Sequence, residues 1–124
     1  MKDLEVLEGV PFSGESFVPE FVEFLKPGEQ YITGEEMIKR AKEKSALPGK
    51  SHADWLLQNQ LLIPTEQRKH YLVFPGTRLK DSEDNLCVPG LYWSGNEWYM
   101  SSCKLESVEG WNHRDRLVRM KPAE

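Results

Sequence analysis

The spacing of the apolar residues changes along this chain, and that change most constrains its fold. Up to about Pro64 they recur at helical intervals, whereas from His70 onward they form short β-prone runs separated by turns. A period near 3.6 is typical of amphipathic helices, and short bounded runs are typical of strands. The order predicts an α+β fold, with N-terminal helices (about residues 16–64) packed on one face of a C-terminal antiparallel β-meander (about residues 70–120).

The size and composition are those of an ordinary globular protein. The chain has 124 residues, of which 39% are hydrophobic and 29% charged, so we expect a single domain over residues 1–124. No apolar run approaches the ~20 residues needed to cross a bilayer. Acidic residues stand near the N-terminus, where a signal peptide would be apolar. We therefore expect a cytoplasmic protein with no membrane partner.

Three helices are predicted in the first half. Apolar residues at i, i+4, i+7 and i+8 from Phe17 indicate a short helix that Pro27-Gly28 ends. The run Thr33-Gly34-Glu35-Glu36 has the pattern of a capping box and predicts a helix to about Lys44. Ser51 is expected to cap a third helix, which Pro64 ends.

The clearest local pattern in the second half is an aromatic hairpin over residues 91–100. A Gly95-Asn96 loop would place Trp93 opposite Trp98 and Tyr92 opposite Tyr99. Because strand side chains alternate, the two tryptophans share one face and the two tyrosines the other. One face must be core, and the other is either half-buried or an exposed patch that contacts a partner protein. These four aromatic residues form the candidate interaction surface.

Two further features concern the strands on either side of this loop. Pro89-Gly90 predicts a bulge or an edge position, because proline cannot donate to a ladder. Cys87 and Cys103 would then be near neighbours, and we expect thiols rather than a disulfide bond.

Three blocks of sequence resemble a group of small uncharacterised bacterial proteins. The blocks are Asp54-Trp55-Leu56-Leu57-Gln58-Asn59-Gln60, Tyr71-Leu72-Val73-Phe74-Pro75-Gly76-Thr77 and Asp115-Arg116-Leu117-Val118-Arg119, and the resemblance spans roughly residues 52–119. It implies a bacterial or phage origin and carries no activity or site.

Catalytic and metal-binding patterns are weak. The three histidines, His52, His70 and His113, are far apart in sequence and have no metal-ligand spacing, so no metal or cofactor is predicted. A Cys–His pair or a hydrolase built from dispersed histidines and acids stays open as the weakest hypothesis. It would require a concave pocket that unites a histidine with carboxylates.

The net charge of −4 is unevenly distributed. Residues 35–50 hold five bases against three acids, a local charge of +2. Two helices followed by a strand have the order of a winged helix-turn-helix, in which these bases would contact phosphates. The third helix, however, offers only Gln58, Asn59 and Gln60 to base edges. The candidate nucleic-acid contacts are Lys39, Arg40, Lys42, Lys44 and Lys50.

The sequence thus leaves three functions open. We favour a small non-enzymatic cytoplasmic interaction module with a protein partner. A nucleic-acid-binding module of winged-helix type is the alternative, and an enzyme is the third option.

Overall fold

A computed structural model describes residues 5–8, 18–44, 46, 48–106 and 110–120, with the backbone alone for the first four. The α+β class is confirmed. In chain order the elements are β1 (Glu5–Glu8), β2 (Pro19–Val22), β3 (Tyr31–Ile32), α1 (Gly34–Glu43), α2 (Lys50–Gln58), two 3₁₀ turns (Gln60–Leu62 and Thr65–Lys69), β4 (Tyr71–Val73), β5 (Arg78–Lys80), β6 (Leu86–Ser94), β7 (Glu97–Lys104), β8 (Trp111–Asn112) and β9 (Asp115–Met120).

The main sheet is organised around β6. Its whole length pairs antiparallel with β7 on one edge, while β5 and then β4 pair with the other edge. Strand β9 runs parallel to β4 and antiparallel to β2, and β1 pairs with β5. Strands β3 and β8 form a separate small sheet. The sheet is therefore mixed, not the predicted antiparallel meander, because β9 pairs in parallel with β4.

The two faces of the main sheet support two separate cores. One core joins α1 and the β3–β8 pair to alternate strand residues, among them Val73, Val88 and Leu117. The other core joins α2 to the residues of opposite parity, among them Leu72 and Leu91. The two helices therefore cover opposite faces of the sheet, not one face as predicted.

The predicted first helix is wrong. Residues 19–22 form β2, in which Phe21 lies opposite Val118 of β9, while Phe17 lies outside the described residues. A helix of so few residues is marginal in water. Pairing with β9 satisfies the backbone groups on one edge of this segment and adds it to the sheet as an edge strand.

The predicted bulge at Pro89-Gly90 is also wrong. The β6–β7 register runs without interruption from Cys87 to Ser94. The Pro89 carbonyl accepts a hydrogen bond from the Phe74 amide at 3.0 Å, on the edge where β4 gives way to β5. The side of Pro89 that lacks an N–H thus faces the gap between β4 and β5. No ladder hydrogen bond is lost there, so β6 can contain a proline. Cys87 and Cys103 are one register position apart and both are thiols, as expected.

Half of the predicted capping box is present at the start of α1. The Thr33 hydroxyl accepts from the Glu36 amide at 3.1 Å. The Glu36 carboxylate, however, accepts from Arg40 Nε at 2.9 Å. The first two amides of α1, those of Gly34 and Glu35, donate to the Glu106 carboxylate at 3.1 and 2.9 Å. An acid 72 residues away therefore satisfies helix donors that would otherwise lack partners.

The cap of α2 differs from the prediction, since Ser51 lies inside the helix. The N-cap is Gly49, whose amide donates to Nδ1 of the buried His52 at 3.1 Å. The Thr77 hydroxyl accepts from the Lys50 amide at 2.8 Å.

Arg40 holds α1 against the segment that precedes it. Its side chain is buried and donates two hydrogen bonds to Glu29 (2.6 and 2.8 Å), one to Glu36 and one to the Phe24 carbonyl at 2.9 Å. The hydrogen bonds from Arg40, and a further one from the Lys26 amide, lower the pKa of Glu29 to about 2. Each of the three nitrogens of this buried guanidinium group thus donates to a carboxylate, and one of them also donates to a carbonyl.

Among the described residues, no helix combines the length and the apolar character that a membrane crossing requires.

The Glu29–Arg40 pair predicts a specific acid response. Because the folded pKa of Glu29 lies below its ordinary value, the pair stabilises the fold above about pH 4.5 and that stabilisation is lost as pH falls toward 2. The free energy of unfolding of Glu29→Gln, measured by urea denaturation, should therefore fall less steeply than wild type between pH 4.5 and 2. Glu43→Gln, at an exposed site on α1, should keep the wild-type slope. Equal slopes for wild type and Glu29→Gln would contradict this assignment.

Candidate functional site

The β6–β7 hairpin has the predicted register. Tyr92 lies opposite Tyr99, and Trp93 lies opposite Trp98. The turn passes through Gly95 at φ +67°, a conformation that glycine adopts without steric cost. The hairpin therefore presents the two pairs on opposite faces, as alternation requires.

The tryptophan face belongs to the core beneath α2. The rings of Trp93 and Trp98 meet edge to face with centroids 5.8 Å apart, and Trp98 is only 2% exposed. At the outer edge of β7, the Gln60 side chain accepts from the Trp98 amide at 3.0 Å and donates to its carbonyl at 3.4 Å. Gln60 thus satisfies backbone groups that an edge strand would otherwise expose.

The tyrosine face is open to solvent. Tyr92 and Tyr99 stack with centroids 5.7 Å apart and 29° between the ring planes, and each is 41% exposed. Tyr99 donates from its hydroxyl to the Glu97 carboxylate at 3.2 Å, and the charge of Glu97 raises the pKa of Tyr99. Of the four predicted surface residues, two are therefore exposed and stacked while Trp98 is core.

The tyrosine face continues across the sheet. The β4–β6 register, extended by one residue, places Tyr71 beside Tyr92, and the parallel β4–β9 register places Asp115 beside Tyr71. Gly90, the next residue on this face of β6, makes room for the Tyr71 ring, since a Cβ there would lie 2.4 Å from the end of that ring. A row of polar aromatic side chains therefore crosses the strands.

A cleft of about 350 Å³ opens at the end of this row. It lies between the 3₁₀ turn before β4, the β8–β9 turn and the end of β6. We call it the strand-end cleft. Its walls are Arg68, Lys69, His70, Tyr71, Tyr92, Trp93, Arg114 and Asp115.

The strand-end cleft combines positive charge with aromatic rings. The Arg68 guanidinium lies 3.8 Å from the centroid of the Trp93 ring, a cation–π geometry that orients it. Lys69 and Arg114 are exposed. Within the described ranges, none of these three cations has a carboxylate oxygen within 4.0 Å. The cleft therefore has the chemistry of an anion site.

Two titratable groups in the cleft have shifted pKa values. Burial lowers the pKa of His70, whose Nδ1 lies 3.2 Å from the Arg114 carbonyl. Burial raises the pKa of Asp115, whose carboxylate accepts from the Asn112 amide at 3.0 Å. The cleft thus brings together one histidine and one carboxylate, whereas the enzyme hypothesis required a histidine with several carboxylates. Both groups are hydrogen-bonded to backbone, and we assign them no reaction.

A second cavity of about 180 Å³ lies beside the cleft and shares Tyr71, Arg114 and Asp115 with it. The Tyr71 hydroxyl is buried there, and burial raises its pKa, an effect that the Ser101 side chain partly offsets. Cys103 also lines this cavity. In the part of the chain that the structure describes, no three His, Cys, Asp or Glu side chains are grouped as metal ligands.

The predicted nucleic-acid contacts are not equivalent. Lys39 and Lys42 are exposed, and Lys44 is half-buried. Lys50 forms an ion pair with Asp54 at 3.1 Å. Arg40 is buried between Glu29 and Glu36, so it cannot contact a phosphate without breaking that network. The burial and ion pairs of Arg40 therefore argue against its predicted role as a nucleic-acid contact.

The cationic residues of the strand-end cleft were missed by sequence reasoning. Arg68-Lys69-His70-Tyr71 is a basic-aromatic run visible in the sequence, but its partner Arg114 lies more than 40 positions away. They meet because β9 pairs in parallel with β4. That long-range pairing has no local signature.

Comparison with protein-family models, with curated proteins and with solved structures finds no match to this chain. The bacterial or phage origin implied by the sequence resemblance therefore stays a proposal.

The two faces of the hairpin should respond differently to truncation. Trp98→Ala removes a buried ring and should lower the free energy of unfolding by about 3–5 kcal/mol. Tyr99→Ala removes a half-exposed ring and one cross-strand pair, at a cost of about 1 kcal/mol or less. Urea denaturation monitored by circular dichroism measures both. Similar losses for the two variants would show that the tyrosine face is also structural.

Proposed function

We propose that this protein is a small non-enzymatic interaction module and that it binds a partner protein through the tyrosine face of the β6–β7 hairpin. The observation that carries the proposal is the stacked, solvent-exposed pair Tyr92–Tyr99. Tyrosine is enriched at the centres of protein interfaces, because its ring buries apolar area while its hydroxyl keeps a hydrogen bond.

The rigidity of the hairpin supports this proposal. The same strands bury Trp98 on the opposite face and are tied to the 3₁₀ turn after α2 by both bonds of Gln60. A surface held in one conformation before binding loses little conformational entropy on binding. Tyr92 and Tyr99 already limit each other's rotamers by stacking.

The surroundings of the tyrosine pair also fit an interface. Glu97 lies beside it on one side, and the basic residues of the strand-end cleft lie on the other. An apolar centre with polar groups at its rim is typical of non-obligate protein interfaces. A bacterial or phage source and a cytoplasmic location are part of this proposal and rest on the sequence.

The nucleic-acid alternative has less support. Lys39 and Lys42 keep their exposed positions on α1, but Arg40 is committed to Glu29 and Glu36. Binding that weakens steeply with salt and with Lys39→Gln/Lys42→Gln would favour it over the protein partner.

The proposal is tested by comparing baits that differ only in exposed tyrosines. Wild type, Tyr92→Ala/Tyr99→Ala and Tyr31→Ala are immobilised, and the proteins they retain from lysate of cells that express this protein are quantified by mass spectrometry. Tyr31 is 61% exposed on β3 and serves as the matched control. A partner should be retained by wild type and Tyr31→Ala and depleted at least tenfold on the double variant, because hot-spot truncation costs more than about 1 kcal/mol.

Two further measurements make the test decisive. Circular dichroism must show that the double variant is folded. A photoreactive phenylalanine analogue in place of Tyr99 should cross-link to the retained protein, whereas the same analogue at Tyr31 should not. Equal retention by all three baits, or no protein retained above bare resin, would contradict the proposal.

A further inference from the structure

We propose that the strand-end cleft binds a nucleoside monophosphate, with the phosphate held by Arg68, Lys69 and Arg114 and the base stacked on Tyr92. This goes beyond the proposed function, because it concerns a small molecule and needs no protein partner.

The phosphate position follows from the charges. Three cations converge on one cleft, and in the described part of the chain none is neutralised by a carboxylate within 4.0 Å. Three other arginines of the fold show the contrast: Arg40, Arg116 and Arg119 each face a glutamate. Guanidinium groups bind phosphate oxygens in a bidentate manner, and lysine adds a point charge.

The cation–π contact preorganises one of these cations. With its guanidinium 3.8 Å from the Trp93 ring centroid, Arg68 is held at the cleft by an attraction that is present before the ligand binds. The energetic cost of assembling the anion site on binding is correspondingly smaller.

The base position follows from Tyr92. This ring lines the cleft, stacks on Tyr99 and remains 41% exposed. Every nucleobase has a π-face that can stack on such a ring, which is worth about 1–3 kcal/mol per base. A ligand with both a phosphate and a flat aromatic group therefore matches the cleft better than a simple anion does.

The remaining lining and the size are consistent with that ligand. The Asp115 carboxylate, which lines the cleft beside Tyr71, can accept a hydrogen bond from a ribose hydroxyl or an exocyclic amine. The volume of about 350 Å³ is at the lower end of the roughly 300–1,000 Å³ of small-ligand sites. It suits one nucleotide.

The test is isothermal titration calorimetry of the full chain with the ribonucleoside monophosphates AMP, GMP, CMP and UMP, with adenosine, with inorganic phosphate and with deca-adenylate RNA. At least one monophosphate should bind, and adenosine and inorganic phosphate should each bind at least tenfold more weakly than AMP if AMP is that ligand. Lys69→Gln/Arg114→Gln should weaken binding at least tenfold. Lys39→Gln/Lys42→Gln removes the same charge from exposed positions on α1 and should leave binding unchanged.

A second readout locates the ligand and excludes a folding artefact. In amide NMR spectra, the bound monophosphate should shift resonances of His70, Tyr92 and Arg114 but not those of α1, and both double variants should keep the wild-type dispersion. No binding by any monophosphate at millimolar concentration overturns the proposal. So do equal affinities for AMP and adenosine, for AMP and phosphate, or for the two double variants.

Three outcomes distinguish this proposal from a single-strand site and from the proposed function. Deca-adenylate that binds more than tenfold tighter than AMP would assign the cleft to a single strand, and the mononucleotide proposal would be overturned. If no nucleotide binds but a partner protein is still retained through Tyr99, this inference is wrong and the proposed function stands. If a monophosphate binds but the baits retain no protein, the proposed function is wrong and this inference stands.

Discussion

Strand β6 is buried on both faces over Cys87–Leu91, and the rest of the fold is arranged around it. One edge pairs continuously with β7, and the other pairs first with β5 and then with β4. Its alternating side chains contribute Val88 to one core and Leu91 to the other. Because a shift of one residue would exchange the two sets, both cores depend on a single register. The uninterrupted pairing with β7 and the accommodation of Pro89 at a break between β5 and β4 maintain that register.

Beyond Leu91 the same alternation separates the tryptophan pair, which packs into the core, from the tyrosine pair, which is exposed. Trp93 and Trp98 continue the face that packs beneath α2, whereas Tyr92 and Tyr99 continue the face that α1 no longer covers. One hairpin can therefore hold a rigid aromatic surface in solvent, because the bulk of its burial occurs on the other side. The strand-end cleft uses the same exposed row and adds charge from the segments that flank β4 and β9.

The polar contacts follow a similar division. The buried Arg40 and the Glu106 carboxylate at the start of α1 connect elements of the fold through several hydrogen bonds each. Arg68, Lys69 and Arg114 are instead exposed, Arg68 over the Trp93 ring and Arg114 with its Nε donating to the Asn112 side chain at 3.4 Å. The ion-paired Arg40 thus contributes to the fold. The cleft is a candidate site because, in the described part of the chain, its three cations have no carboxylate oxygen within 4.0 Å, although Asp115 lines the same cleft.

Local patterns in the sequence determined the α+β class, the positions of α1 and α2 to within a few residues, and the Trp–Trp and Tyr–Tyr pairs. Those features rest on contacts within about ten residues, such as the cap at Thr33 and the turn at Gly95-Asn96. Tertiary structure alone decided that residues 19–22 form a strand, that the helices cover opposite faces, that Arg40 is buried, and that Arg114 meets Arg68. The strand at residues 19–22 and the cleft that Arg114 shares with Arg68 depend on β9 lying between β2 and β4, a pairing across 40 to 100 residues. Its free energy comes from the assembled sheet, so neither segment read alone indicates it. Arg40 is buried through its contacts with Glu29, Glu36 and the Phe24 carbonyl, of which only the Glu36 pair is local in sequence.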